Sequence, residues 1–133
     1  MLLIGATNRP ECLDEAARRR MTKRLYVPLP CPAARLHMLS KLMSDQSHML
    51  TDKHLAELVR DSEGYSGADI QALCREAALA PIKNLTDLDE IESIDRLPPI
   101  QFEHFQTALK TVRPSVAPSE IERYVEFHKK FGC

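Results

Sequence analysis

The sequence predicts two kinds of structure in one chain, an α/β fragment over residues 1–30 followed by a mostly α-helical segment over residues 31–133. Met1 to Ala6 is an unbroken apolar run, the pattern of a strand buried on both faces. Leu25 to Pro30 reads as a second short strand stopped by prolines. From Pro32 onward, apolar residues recur at three- and four-residue intervals, which is the helical period.

The first run gives way to Thr7, Asn8 and Arg9 before Pro10, which puts Asn8 just beyond the carboxyl end of a strand. In open α/β sheets ligands gather outside those ends, where an amide can orient a water or a phosphate oxygen. A plain turn is the ordinary alternative for an Asn in this setting. Between Leu13 and Arg20 the acids come first, Asp14 and Glu15, and the arginines last, Arg18, Arg19 and Arg20, an order that suits the dipole of a short helix. A run of like charges is usually a solvated face. Arginine is also the side chain suited to bidentate phosphate recognition and to acting as a finger on a neighbouring subunit.

In the helical segment, Pro32 suits a first turn and Leu36, Leu39, Leu42 and Met43 form an apolar stripe, which by itself reads as core. Thr51 is placed to cap a helix whose inner face is Leu55, Leu58 and Val59. In Glu63-Gly64-Tyr65-Ser66-Gly67-Ala68-Asp69-Ile70, Ser66 is an N-cap with Asp69 three residues on, an acidic variant of the capping box, ahead of Ile70, Leu73, Ala77 and Ala78. Gly64 and Gly67 flank that helix start and permit close approach of another surface. Pro81 is expected to interrupt the helix late. Asn84 to Pro99 reads as a surface connector whose Asp87, Asp89, Glu90, Glu92 and Asp95 lack the glycine and terminal Glu of a calcium loop. Ile100 to Val112 returns as a helix bearing Phe102, Phe105, Ala108 and Leu109; Ile121 to Phe131 is a last helix with Tyr124, Phe127 and Phe131 on one stripe, ended by Gly132.

Composition narrows the functional classes. With 44% hydrophobic and 28% charged residues the chain can hold one compact domain or two pieces, and it is neither disordered nor collagen-like. A formal net charge of -1 supplies no global basic field for nucleic acid. Cys12, Cys31, Cys74 and Cys133 are scattered without a CxxC pair, which indicates neither a zinc site nor a disulfide framework and fits reduced thiols in the cytoplasm or nucleus. His104 has no partner histidine at metal-ligand spacing, so no metal residues are assigned. The opening apolar run is too short for a membrane span and lacks the basic region and cleavage site of a signal peptide.

A strand buried on both faces needs neighbours to satisfy its backbone, and only one further strand is evident. There is no GxxxxGK[ST] phosphate loop and no apolar strand ending in acids to hold Mg²⁺. The chain is therefore expected to be a fragment, inactive by itself.

Several separated strings resemble one family. Gly5-Ala6-Thr7-Asn8-Arg9-Pro10, Leu13-Asp14-Glu15-Ala16, Arg18-Arg19-Arg20 and Arg24-Leu25-Tyr26-Val27-Pro28-Leu29-Pro30 resemble the second half of an AAA ATPase domain, within the katanin, spastin and fidgetin group and its fidgetin-like members. The GYSGAD string at Gly64–Asp69 and the terminal Tyr124-Val125-Glu126-Phe127-His128-Lys129-Lys130-Phe131-Gly132 are similar to two further motifs of that group, in the same order. The resemblance covers nearly the whole chain. It implies the last strands of a P-loop-type AAA large subdomain over 1–30 and the helical lid subdomain with its C-terminal helix over 31–133.

By the same resemblance, Asn8 is sensor 1, which positions the attacking water, and Arg19 and Arg20 are the fingers that reach the ATP of the adjacent subunit. Met21 departs from the Phe that commonly follows those fingers, and Ala117 from a common Ser. Gly67 and Ala68 abut the adenine and ribose, with Leu42 near the adenine, and Ala68 stands where many related ATPases outside the group have a sensor 2 arginine. The full protein would use ATP with Mg²⁺, whose ligands lie outside this chain, and would form a homo-oligomer, a hexamer. It would remodel a protein substrate, with tubulin or microtubules the best-known case and disassembly of other complexes the fidgetin-like one, at a cytoplasmic, nuclear or microtubule location. A noncatalytic lid fragment that docks on intact subunits is the rival reading, and an unrelated helical scaffold a third.

Overall fold

The structure is a computed structural model that describes residues 2–83 and 97–132. After a 3-10 turn at Pro10–Cys12 come α1 (Glu15–Arg20), α2 (Pro32–Met43), α3 (Asp52–Asp61), α4 (Gly67–Lys83), α5 (Phe102–Thr111) and α6 (Pro118–Phe131). The chain divides into two compact units, one joining Met1–Pro28 with Ala117–Cys133 and the other comprising Leu29–Val116.

The helical expectation holds, and neither expected strand, at 2–6 or at 25–30, forms among the described residues. Leu2, Leu3, Ile4, Leu25 and Val27 are between 75% and 84% exposed, the reverse of a doubly buried strand. The physical reason is the ladder requirement: an apolar run becomes a strand only beside partners that take up its backbone groups, and the described residues offer it none. The β-pairing that does occur among them is an isolated parallel bridge between His48 and Ile100. It consists of Met49 N donating to the Ile100 carbonyl and Ile100 N to the Ser47 carbonyl, each at 2.9 Å.

The Leu29–Val116 unit is built on α2 to α5. Leu39 and Met43 of α2, Leu58 of α3, Ile70, Leu73, Cys74 and Ala77 of α4, and Phe105 and Ala108 of α5 form one buried cluster with Tyr65 and Ile100. These positions keep the three- and four-residue spacing that places a single helical face inward. Leu36 shares that spacing with Leu39 and Met43 yet stays 41% exposed, so the expected stripe of α2 is buried only over its later turns. Stacking of the His54 and Phe102 rings, 4.6 Å between centroids, adds a contact between α3 and α5.

Local chemistry sets the helix ends. Thr51 Oγ1 accepts from His54 N and His54 Nδ1 accepts from Thr51 N, both at 3.3 Å, so a histidine fills the reciprocal place that Glu usually takes in a capping box. His104 repeats half of that device, accepting from Gln101 N at 3.0 Å. Pro81, expected to interrupt α4, lies buried within it, and the helix continues to Lys83, so the proline forgoes the one bond its amide would make to the Ala77 carbonyl without ending the helix. The last helix begins at Pro118, earlier than the expected Ile121, because proline is pre-set for the first helical position. Its N-cap, Ala117, has no side-chain acceptor, and only the return bond is made, from Ala117 N to Glu120 Oε2 at 3.1 Å. The acids Asp87, Asp89, Glu90, Glu92 and Asp95 lie outside the described residues.

Candidate functional site

Asn8, Arg19 and Arg20 belong to the unit formed by Met1–Pro28 and Ala117–Cys133, whereas Leu42, Gly67 and Ala68 belong to Leu29–Val116. In the first unit, Arg9 N donates to Thr7 Oγ1 at 3.0 Å, a local turn that leaves Asn8 exposed. Asp14 caps α1, its Oδ1 accepting from Ala17 N at 2.6 Å.

The arginine run then separates into distinct environments. Arg18 lies over the Phe131 ring, 5.5 Å from its centroid, a cation–π contact. Arg24 donates to the Phe131 carbonyl at 2.6 Å and to the Arg18 carbonyl at 2.7 Å, placing a cation at the negative end of two helices. Arg19 and Arg20 are exposed. Arg19 pairs with Glu15 across one helical turn at 2.7 Å, with both side chains more than 70% exposed. A solvated pair of that kind contributes only about 0.3–0.5 kcal/mol, too little to hold Arg19 back from a stronger anion. The charge run is thus two cations engaged on α6 and two available at the surface. The spacing of identical charges carries no signal that distinguishes them.

In the second unit, the α4 start is tightly determined. Ser66 Oγ accepts from Asp69 N at 3.2 Å while Asp69 Oδ2 accepts from Ser66 N at 2.8 Å, the reciprocal cap expected from the sequence. The same Oδ2 accepts from Ser66 Oγ at 2.9 Å and from Ser115 N and Oγ, each at 3.1 Å. Burial would raise the Asp69 carboxyl pKa, but the hydrogen bonds from Ser66 and Ser115 outweigh it and hold the group below its ordinary value. Tyr65, 4% exposed, donates its hydroxyl to the Val112 carbonyl. Its phenol pKa is raised, first by burial and then by the Asp69 charge. Gly64 has φ +80, the left-handed region that glycine enters without steric cost. At Gly67 a Cβ would come within 3.1 Å of Met38 Cε, so the lack of a side chain lets α4 start close against α2. Met38 lies one turn before the half-buried Leu42 on the same face of α2.

Arg35, Tyr65 and Ser115 have structural roles that sequence reasoning missed. Arg35 is 6% exposed and spends its guanidinium on main-chain carbonyls, those of Val59 and Pro30. Among the described residues there is no group of three His, Cys, Asp or Glu side chains that could hold a metal ion, and no helix is long and apolar enough to cross a membrane.

The AAA+ lid domain family matches residues 52–96, and the Vps4 C terminal oligomerisation domain family matches residues 77–132. The ATPase-like fidgetin of Schizosaccharomyces pombe is 49% identical over 132 residues, which is 99% of this chain and 20% of that protein. Fidgetin-like protein 1 of Homo sapiens is 47% identical over 135 residues, 100% of this chain and again 20% of the relative. The chain therefore spans about a fifth of the length of such relatives. Among solved structures, the FIGL-1 AAA domain in complex with ADP superposes with a TM-score of 0.90 at 44% identity, covering 97% of this chain and 44% of that one. A katanin structure described as the basis for katanin self-assembly matches with a TM-score of 0.77 at 29% identity, over 88% of this chain and 43% of the other. The chain carries AAA+ lid and Vps4 C terminal oligomerisation domain sequence, and over nearly its whole length it is similar to fidgetin-like members of the katanin, spastin and fidgetin group.

Proposed function

We propose that the full-length protein is a Mg²⁺-dependent ATPase that assembles into a ring, a hexamer, and that this chain supplies residues to two active sites at once. Asn8 orients the attacking water for the nucleotide held by its own subunit, and Arg19 and Arg20 stabilise the developing phosphate charge on the nucleotide of the neighbour. Gly67, Ala68 and Leu42 border the nucleotide base and ribose. Bound Mg²⁺ neutralises phosphate charge, with ligands outside this chain.

The observation that carries this reading is the company the two exposed arginines keep. Arg19 and Arg20 sit exposed in the same compact unit as α6, and α6 lies within the match to an oligomerisation domain. A cation supplied to another subunit needs both features. The residues at the α4 start also suit a nucleotide: a glycine seated against Met38, an apolar side formed by Met38 and Leu42, and the positive end of a long helix dipole. The relative solved with ADP supports the same ligand class.

The exposed Leu2, Leu3, Ile4, Leu25 and Val27 fit the last strands of the α/β subdomain, completed by sheet partners outside the chain, with the helical lid beginning near residue 31. Hydrolysis drives disassembly of a protein assembly in the cytoplasm or nucleus, with microtubules or another fidgetin-type complex as substrate. The test is steady-state ATP turnover of the full-length protein against its own concentration. Turnover per subunit rises with assembly if the arginines act in trans; full turnover by verified monomers would overturn the proposal.

A further inference from the structure

Thr22 stands exposed just past the end of α1, with Arg19 and Arg20 immediately upstream and Met21 between. That order, two arginines, one other residue and then a hydroxyl, suits a protein kinase whose acidic groove pairs with guanidiniums on the amino-terminal side of the acceptor. Such a kinase must draw its substrate out into an extended form, which this segment permits at little cost. The α1 helix is six residues long and buries none of them, well short of the length at which a helix holds in water without packing. Met21 has already left helical geometry, and no helix or strand follows before α2.

The surroundings of Thr22 show where a phosphate there would lie. Thr22 shares a surface cavity of about 530 Å³ with Glu15, Arg18, Arg19, Arg24 and Phe131. Three guanidiniums and one carboxylate line it, so the cavity carries excess positive charge. The carboxylate is the weak partner in the solvated Glu15 and Arg19 pair. Arg24 donates through Nη1 and Nη2 to the carbonyls of Phe131 and Arg18, while its Nε is buried with no hydrogen-bond partner among the described residues. A phosphothreonine brings a charge of about −1.5 to −2 and three strong acceptor oxygens, which outcompetes one exposed carboxylate for Arg19.

We propose that Thr22 is a phosphorylation site for an arginine-directed serine/threonine kinase, and that its phosphate seats among Arg18, Arg19 and Arg24 and withholds Arg19 from the neighbouring subunit. In the transfer, a bond forms from Thr22 Oγ1 to the γ-phosphorus of the kinase's ATP and the bond to the bridging oxygen breaks. ADP leaves, and the hydroxyl proton passes to the kinase's catalytic carboxylate. The effect on the neighbour rests on the reading of Arg19 and Arg20 given above; the modification itself does not.

The experiment treats full-length protein with ATP and the catalytic subunit of cyclic-AMP-dependent protein kinase. The phosphate is mapped by peptide mass spectrometry, and ATP turnover is read once the kinase has been removed. Thr22 should take up phosphate, turnover should fall about tenfold or more, and phosphatase treatment should restore it. Affinity of dilute subunits for a non-hydrolysable ATP analogue should change by less than about twofold, because the phosphate acts on arginines that a subunit lends and not on the nucleotide it holds. Thr22→Ser should be modified and inhibited alike, and Thr22→Ala should keep its turnover through the same treatment. Should Thr22→Ala fail to fold, phosphatase reversal on the unaltered protein makes the same comparison.

No phosphate on Thr22 would overturn the site. Phosphorylated Thr22 with undiminished turnover, in a protein that Arg19→Ala silences, would overturn the capture of Arg19 alone. Full turnover by Arg19→Ala would overturn the reading of the arginines and the capture with it. The phosphorus resonance of phosphorylated, unassembled subunits gives a check independent of activity. Guanidiniums around the phosphate should bring its second ionisation below the usual value of about 6, and titration at that value would overturn the seating.

Discussion

Arg35 donates to the Val59 carbonyl through both Nε, at 3.3 Å, and Nη2, at 2.9 Å, and to the Pro30 carbonyl through Nη1 at 2.9 Å. No carboxylate pairs with it among the described residues. Val59 lies in the last turn of α3, where carbonyls have no intrahelical partner and the helix dipole is negative, so a buried guanidinium is matched there without an anion.

Replacing Arg35 with Ala should therefore cost on the order of 2–4 kcal/mol, because it removes the packed stem and strips its donors from the Pro30 carbonyl and from the Val59 carbonyl, which keeps only Ser62 Oγ at 3.3 Å. Arg35→Lys should recover only part of that, since one ammonium cannot reproduce the fork onto Val59 and also reach Pro30. Urea unfolding of the two variants against the unaltered protein reads both values. Equal stability of the Lys variant and the unaltered protein would show that the fork is dispensable.

Asp69 and Tyr65 predict opposite pH effects. The folded Asp69 pKa is lowered, so its contribution is fully present above the unfolded value of about 3.9 and is lost as pH falls through the folded one. The folded Tyr65 pKa is raised, so its contribution is present below the unfolded value of about 10 and is lost as pH rises through the folded one. In unfolding measurements across pH, the stability gap between unaltered protein and Asp69→Asn narrows on the acid side. The gap for Tyr65→Phe, about 1–2 kcal/mol at neutral pH, narrows on the alkaline side. A gap independent of pH in either variant would contradict the assigned hydrogen bonds.

Cys74, within the α2–α5 core, has its thiol pKa pushed up to about 11 by burial, whereas Cys12 and Cys31 are exposed. Iodoacetamide at pH 8 should label Cys12 and Cys31 quickly and Cys74 only at the rate of unfolding, since the thiolate is the nucleophile and Cys74 holds its proton. Peptide mass spectrometry over a labelling time course distinguishes the sites. Rapid labelling of Cys74 under native conditions would mean that the core opens locally.

Helices and caps were legible in the sequence because they are set by near neighbours. Leu39 with Met43, the reciprocal Ser66 and Asp69 cap, and the inward Phe105 all follow from residues within a few positions of one another. What the sequence could not show is long-range. Nothing local to Arg35 points to Val59, 24 residues on, and nothing near Ser115 points to Asp69. The strands expected at 1–6 and 25–30 do not form among the described residues for a related reason, since an apolar run specifies burial, and the partner decides whether burial takes the form of a strand. Of the candidate site, the motifs nominate Asn8, Gly67 and Ala68, but identical charges could not tell Arg18, engaged on Phe131, from the exposed Arg19 and Arg20.

The proposed division of labour between Asn8 in its own subunit and Arg19 with Arg20 in the next is tested most directly by mixing two full-length variants, each expected to be inactive. Asn8→Ala subunits keep the arginines, and subunits carrying Arg19→Ala with Arg20→Ala keep the sensor. Loss of an arginine finger lowers turnover by about 10³-fold or more, and loss of the Asn8 amide leaves the attacking water without its orienting group, so each variant alone should be nearly silent. In a randomly mixed ring, on the order of one quarter of the head-to-tail interfaces pair an intact Asn8 with intact arginines, and turnover should recover in about that proportion. A mixture no more active than the mean of its two components, with mixed rings verified by sedimentation and mass spectrometry, would contradict the account.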